Sequence, residues 1–117
     1  MKWFLAKLVY RIICGNGEHT AQFDEQLRLI HAENQEQAYD KAYQFGIREE
    51  ETFFNQKQQL VQWKFINVSE LLTLHELVDG AEVYSRINEV DDGHSYTTFV
   101  HQKAQVILNR KEVLLSV

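Results

Sequence analysis

WFLAKLVYRIICGNGEHTAQFDEQLRLIHA, residues 3–32, decides the fold. Asn16-Gly17 stands between two apolar runs, and both residues accept the positive φ that a type I′ turn requires. A two-residue turn at that point pairs Gly15 with Glu18 and sets the register of everything behind it. Cys14 then faces His19, Ile12 faces Ala21, Tyr10 faces Phe23, Leu8 faces Glu25, Ala6 faces Leu27 and Phe4 faces Leu29. Beyond the polar pair beside the turn, Glu25 is the single acid on an apolar inner face. The outer face sets Trp3 against Ile30, Leu5 against Arg28, Lys7 against Gln26, Val9 against Asp24 and Arg11 against Gln22. A slip of one residue would exchange the faces of one strand.

The 117 residues suit one domain, residues 1–117, large enough to bury roughly two-thirds of its unfolded surface. Hydrophobic residues make up 44% and charged residues 25%, an ordinary globular balance. Lys7 and Arg11 interrupt the first apolar run, so it resembles neither a membrane span nor a signal peptide. A lone cysteine makes no internal disulfide, and the expected compartment is the cytoplasm. A net charge of −5, spread over both halves, argues against nucleic acid. Proline is absent and no Gly/Ser-rich run offers a linker.

Asn34 stands three residues before Gln37, a capping-box spacing that predicts a helix from Gln35 to about Phe54. Ala38, Ala42 and Gly46 recur every four residues, a strip of small side chains suited to close packing on a sheet. Glu49, Glu50 and Glu51 read as a solvated face. Val61, Trp63 and Phe65 alternate with polar residues, which predicts a third strand ending near Val68. Ser69 is the expected cap of a short helical turn reaching Leu74. A turn at Asp79-Gly80 leads into an expected fourth strand, Ala81 to Val90, closed by Asp91-Asp92-Gly93. Helical spacing returns from Ser95 to about Asn109, and Val113, Leu114, Leu115 and Val117 form an apolar tail expected to dock. The order strand-strand-helix-strand-strand-helix predicts an α+β fold, a four-stranded antiparallel sheet with both helices on one face.

The opening MKWFLAKLVYRIICGNGEHTAQFDEQLRLI resembles the start of an uncharacterised bacterial family, domain of unknown function 4288. Ala42 to Gly46 and the Asp79-Gly80-Ala81-Glu82 turn followed by Tyr84-Ser85 fit the same comparison. The resemblance implies a small stand-alone bacterial protein. It brings no activity, cofactor or catalytic residue.

Three features bear on chemistry. Cys14 and His19, facing one another, would make a thiolate–imidazolium pair; a cysteine at the sheet rim beside a solvated histidine is the simpler reading. Glu25, if buried, would be a general acid or base; alternatively a bulge lets it out, or Lys41 or Arg48 from the covering helix satisfies it. The outer face mixes Trp3, Leu5, Val9, Ile13 and Ile30 with Arg11 and Arg28, a composition closer to an interface than to a core. The alternative is that the apolar tail covers it. Five histidines show no zinc spacing, the Asp91-Asp92-Gly93 run lacks a calcium loop's later acid, and no phosphate loop or nucleophile elbow occurs.

The sequence therefore predicts an interaction module rather than an enzyme, without cofactor or metal, binding a protein partner or a second copy of itself and neither nucleic acid nor membrane. Trp3, Leu5, Val9, Arg11, Ile13, Arg28 and Ile30 are its expected partner-binding residues. The alternative is a small-molecule binder or enzyme with a pocket between sheet and helices near Glu25 or Cys14/His19.

Overall fold

The structure is a computed structural model and describes residues 1–110. Its elements are β1 (Lys2–Cys14), β2 (Gln22–Ala32), α1 (Gln35–Arg48), β3 (Glu51–Phe54), β4 (Leu60–Leu74) and α2 (Gly93–Asn109). The four strands form one antiparallel sheet in the order β2-β1-β4-β3, so the fold is α+β. Met1–Tyr84 is one compact unit, and the chain from Ser85 onward is a second. The tail residues Val113, Leu114, Leu115 and Val117 lie outside the described residues.

The first hairpin forms, but in a different register. Tyr10 pairs with Asp24 and Arg11 with Phe23, one residue away from the pairing a two-residue turn would impose. Two features of the connector account for the slip. Gly15 and Gly17 carry φ of +58° and +84° while Asn16 does not enter the left-handed region, and the Gly17 N–H bonds to the Cys14 carbonyl at 3.0 Å. The tight turn is therefore Cys14–Gly17, with Gly15 at its first central position. His19 then holds the rest of the connector: its Nε2 accepts from the Cys14 N–H at 2.9 Å, and its Nδ1 lies 2.9 Å from the Thr20 carbonyl. β2 starts only at Gln22.

Slipping by one residue exchanges the faces of β2. Phe4, Ala6, Leu8 and Tyr10 of β1 and Ile30 and Ala32 of β2 form the core, each no more than 2% exposed. α1 seals it with Ala38, Ala42 and Gly46, as the small-residue strip predicts. Its start is also as read. Asn34 Oδ1 accepts from the Gln37 N–H at 2.8 Å, and the Gln37 side chain returns to the N–H of Glu33. The approach at Gly46 is too close for a side chain: a Cβ there would run into the Phe65 ring. The buried Tyr10 hydroxyl donates to the Gly46 carbonyl at 2.9 Å, tying the last turn of α1 to the central strand.

Three boundaries differ from the sequence reading. α1 stops at Arg48, and residues 51–54 become the edge strand β3, with Glu50 accepting from the Phe65 N–H at 2.9 Å. β4 continues through Ser69 to Leu74 rather than turning helical, because Ala6, Leu5, Phe4 and Trp3 pair with residues 71–74. Residues 81–90 contain no strand; the sheet's fourth strand is β3. The turn before them is as predicted, with the Ala81 N–H on the Val78 carbonyl and Gly80 at φ +86°. α2 is capped by Asp92, which accepts from the Ser95 N–H at 3.1 Å. That bond, with a second from the Ser95 hydroxyl, lowers the Asp92 pKa.

Candidate functional site

α1 spans about 21 Å, whereas a 13-residue strand spans about 43 Å, so one helix leaves part of its own face uncovered. A polar ladder fills that part. Gln26 Nε2 donates to Asp24 at 2.7 Å, Arg28 Nη2 donates to Gln26 at 2.6 Å, and Arg28 meets Glu49 in a two-point pair at 3.0 and 2.7 Å. Across β1, the Trp63 indole N–H donates to Asp24 at 3.1 Å. Hydrogen bonding from Arg28 holds the Glu49 carboxyl below its ordinary range, and Glu49 in turn raises Arg28. Beside them, burial pushes the Tyr10 hydroxyl above its usual value.

The opposite, outer face carries Trp3, Leu5, Val9, Arg11 and Ile13 from β1, as expected. Trp3 stacks on His31 with ring centres 4.3 Å apart, and Arg11 lies over the Phe23 ring at 5.8 Å. Leu5 is buried, and Val9 and Ile13 are half-buried. Arg28 and Ile30 are not on this face: the register puts Arg28 in the ladder and Ile30 in the core, 1% exposed. Their places are taken by Phe23, Leu27 and Leu29, exposed by 54%, 49% and 56%.

Glu25 also changes sides. It pairs with Val9 and its side chain is 61% exposed, 3.7 Å from the Lys7 ammonium, so no buried general acid exists there. Lys41 instead donates to the His31 carbonyl at 2.8 Å. Lys7 is largely covered and bonds Glu70 at 2.8 Å, which raises its pKa; the Tyr84 ring lies 5.3 Å from its nitrogen. The segment ending at Tyr84 thus lies over the centre of the outer face and leaves the β2 row in the open.

Cys14 and His19 do come together, through the Cys14 backbone rather than its thiol. With Nε2 accepting from an amide and Nδ1 on a carbonyl, the imidazole braces the connector and has no nitrogen left to act as base. The two residues border an open cleft of about 710 Å³, shared with Gln22 and Gln59. Among the described residues, no three His, Cys, Asp or Glu side chains gather to hold a metal, and no helix is long and apolar enough to cross a membrane.

Sequence reasoning missed the Phe23/Leu27/Leu29 row and the Asp24/Gln26/Arg28 ladder. One signal marked both: from residue 22 to 29 polar and apolar residues alternate, with only Glu25 out of step, whichever way the turn is built.

Sheet, covering helix and exposed edge row define a small α+β domain. The family model described as Domain of unknown function (DUF4288) matches residues 3–85, nearly the whole of the first compact unit, and the chain belongs to that family. No curated protein and no solved structure matches it.

Proposed function

We propose that this domain is a non-enzymatic interaction module that uses its outer sheet face to self-associate or to hold a protein partner. One observation carries the reading: Phe23, Leu27 and Leu29 stand about half exposed in a row on an edge strand. Large apolar side chains in a row, flanked by Trp3 and Arg11, have the composition of an interface core with a polar rim. The competing reading, a catalytic or small-molecule pocket at Glu25 or Cys14/His19, has less support, because Glu25 is solvated and both His19 nitrogens are engaged with backbone.

Among the described residues β2 has no strand on its far side, and such an edge is a template for pairing with another chain, a second copy included. Sedimentation equilibrium of the full chain tests it. A mass rising with concentration above 13.8 kDa, and returned to that value by the double substitution Phe23→Ser/Leu29→Ser, supports the reading. A mass fixed at the monomer value into the millimolar range overturns it.

A further inference from the structure

We infer that two copies of this chain join through β2, antiparallel and two-fold symmetric about Gln26, into one continuous sheet. This rests on the self-association reading above and names its geometry.

The two edges of the sheet are unequal. On one side β3 pairs with Leu60–Trp63, and the middle of β4 is blunted: Glu50 takes the Phe65 N–H, Asn67 Oδ1 takes the Val68 N–H, and register shifts interrupt its pairing with β1. Capping side chains and bulges are what sheets use to prevent edge-to-edge pairing. Among the described residues, β2, the other edge, has none along most of its length. Its pairing with β1 runs without a shift from Ala32 to Gln22. Among the described residues its carbonyl is capped only at His31, by Lys41. Backbone groups alternate sides along an antiparallel strand, so an outward His31 implies outward N–H and C=O groups at Leu29, Leu27, Glu25 and Phe23. The available stretch therefore runs from Gln22 to Ile30, and its midpoint is Gln26.

The side chains are complementary about that midpoint. Antiparallel pairing centred on Gln26 sets Asp24 against Arg28 of the partner subunit on the ladder face. On the outer face it sets Phe23 against the partner's Leu29, with Glu25 against the partner's Leu27 between those pairs. Opposite charges and apolar pairs directly across a strand pair each favour association. Arg28 has an N–H to give, since the ladder and Glu49 engage four of its five among the described residues. Neighbouring registers fit less well. Centring on Glu25 opposes two like charges, and centring on Leu27 sets Asp24 against the partner's Ile30.

Three variants test the pairing. In a Cys14→Ser background, Gln26→Cys places two thiols on the two-fold axis at a non-hydrogen-bonded pair, with Cα atoms about 4.5 Å apart, within disulfide range. Mild oxidation is expected to give mostly cross-linked dimer, with Leu27→Cys cross-linking at least tenfold less. Leu27→Pro removes an outward N–H from the edge while sparing the bonds to β1, and is expected to weaken dimerisation at least tenfold with the far-UV circular dichroism spectrum unchanged. A dimer that Phe23→Ser/Leu29→Ser abolishes, but that neither cross-links at Gln26→Cys nor responds to Leu27→Pro, overturns the edge pairing and leaves the outer-face reading standing. Preferential cross-linking of Leu27→Cys overturns the register. A chain that stays monomeric overturns both.

Discussion

Alternate residues of the same two strands meet opposite fates. Leu8, on the α1 side of β1, is fully buried, while Leu29, on the other side of β2, is 56% exposed. Hydrophobicity alone does not separate them; register does. Once the connector places Tyr10 beside Asp24, β2 turns its polar row toward the short helix and its apolar row away from it. The apolar row of β1 still finds α1, so the core is built from β1 and the helix, with β2 adding Ile30 and Ala32 and the half-buried Trp63, Phe65, Val68 and Leu71 of β4 packed against it.

The largest expected effect breaks that contrast from the sealed side. Leu8→Ala should cost about 3–4 kcal/mol of unfolding free energy in urea titrations, whereas Leu29→Ala should cost less than about 0.5 kcal/mol. Equal losses would mean that the outer row is packed in solution. Next comes Gly46→Ala, whose Cβ meets the Phe65 ring; a loss of about 2–3 kcal/mol is expected, partly recovered by adding Phe65→Leu. Tyr10→Phe leaves the Gly46 carbonyl without its donor inside the core, and about 1–2 kcal/mol should go with it, measured in the same titrations.

The smallest effect belongs to the ladder and is read through pH. Arg28 depresses the Glu49 pKa, so the folded state binds that proton less tightly than the unfolded chain does. The stabilisation is full above the ordinary value of 4.5 and fades as pH falls through the folded value. Wild type and Glu49→Gln should therefore differ by a small constant amount near neutrality and converge in acid. A gap that persists or widens below pH 4.5 would show that the pair does not contribute in this way.

Much of this fold was legible. Asn34 and Gln37 announced the start of α1, the Ala38/Ala42/Gly46 strip announced which face it buries, and the hairpin between two apolar runs is present. Its register was not legible, because Asn-Gly carries a strong local preference that a glycine one residue earlier displaced. Gly15 took the left-handed position, and His19 stitched the remaining connector by a contact that no spacing rule contains. Everything assigned from that register moved with it: Glu25 to solvent, Arg28 to the ladder, Ile30 to the core. β3 was hidden for a different reason. Four residues following a run of glutamates are too few to show a period, and their pairing with Leu60–Trp63 is a tertiary choice. Trp3, Val9, Arg11 and Ile13 stayed on the outer face because β1's own alternation does not depend on where β2 begins.

The bond from Tyr10 to the Gly46 carbonyl also fixes how this domain can change length. Inserting one residue between Asn34 and Gly46 would rotate the helix beyond it by about 100°, swinging that carbonyl away from its donor and presenting a bulky side chain to Phe65. In this architecture the length of α1 up to Gly46 is set by what its last turn must meet.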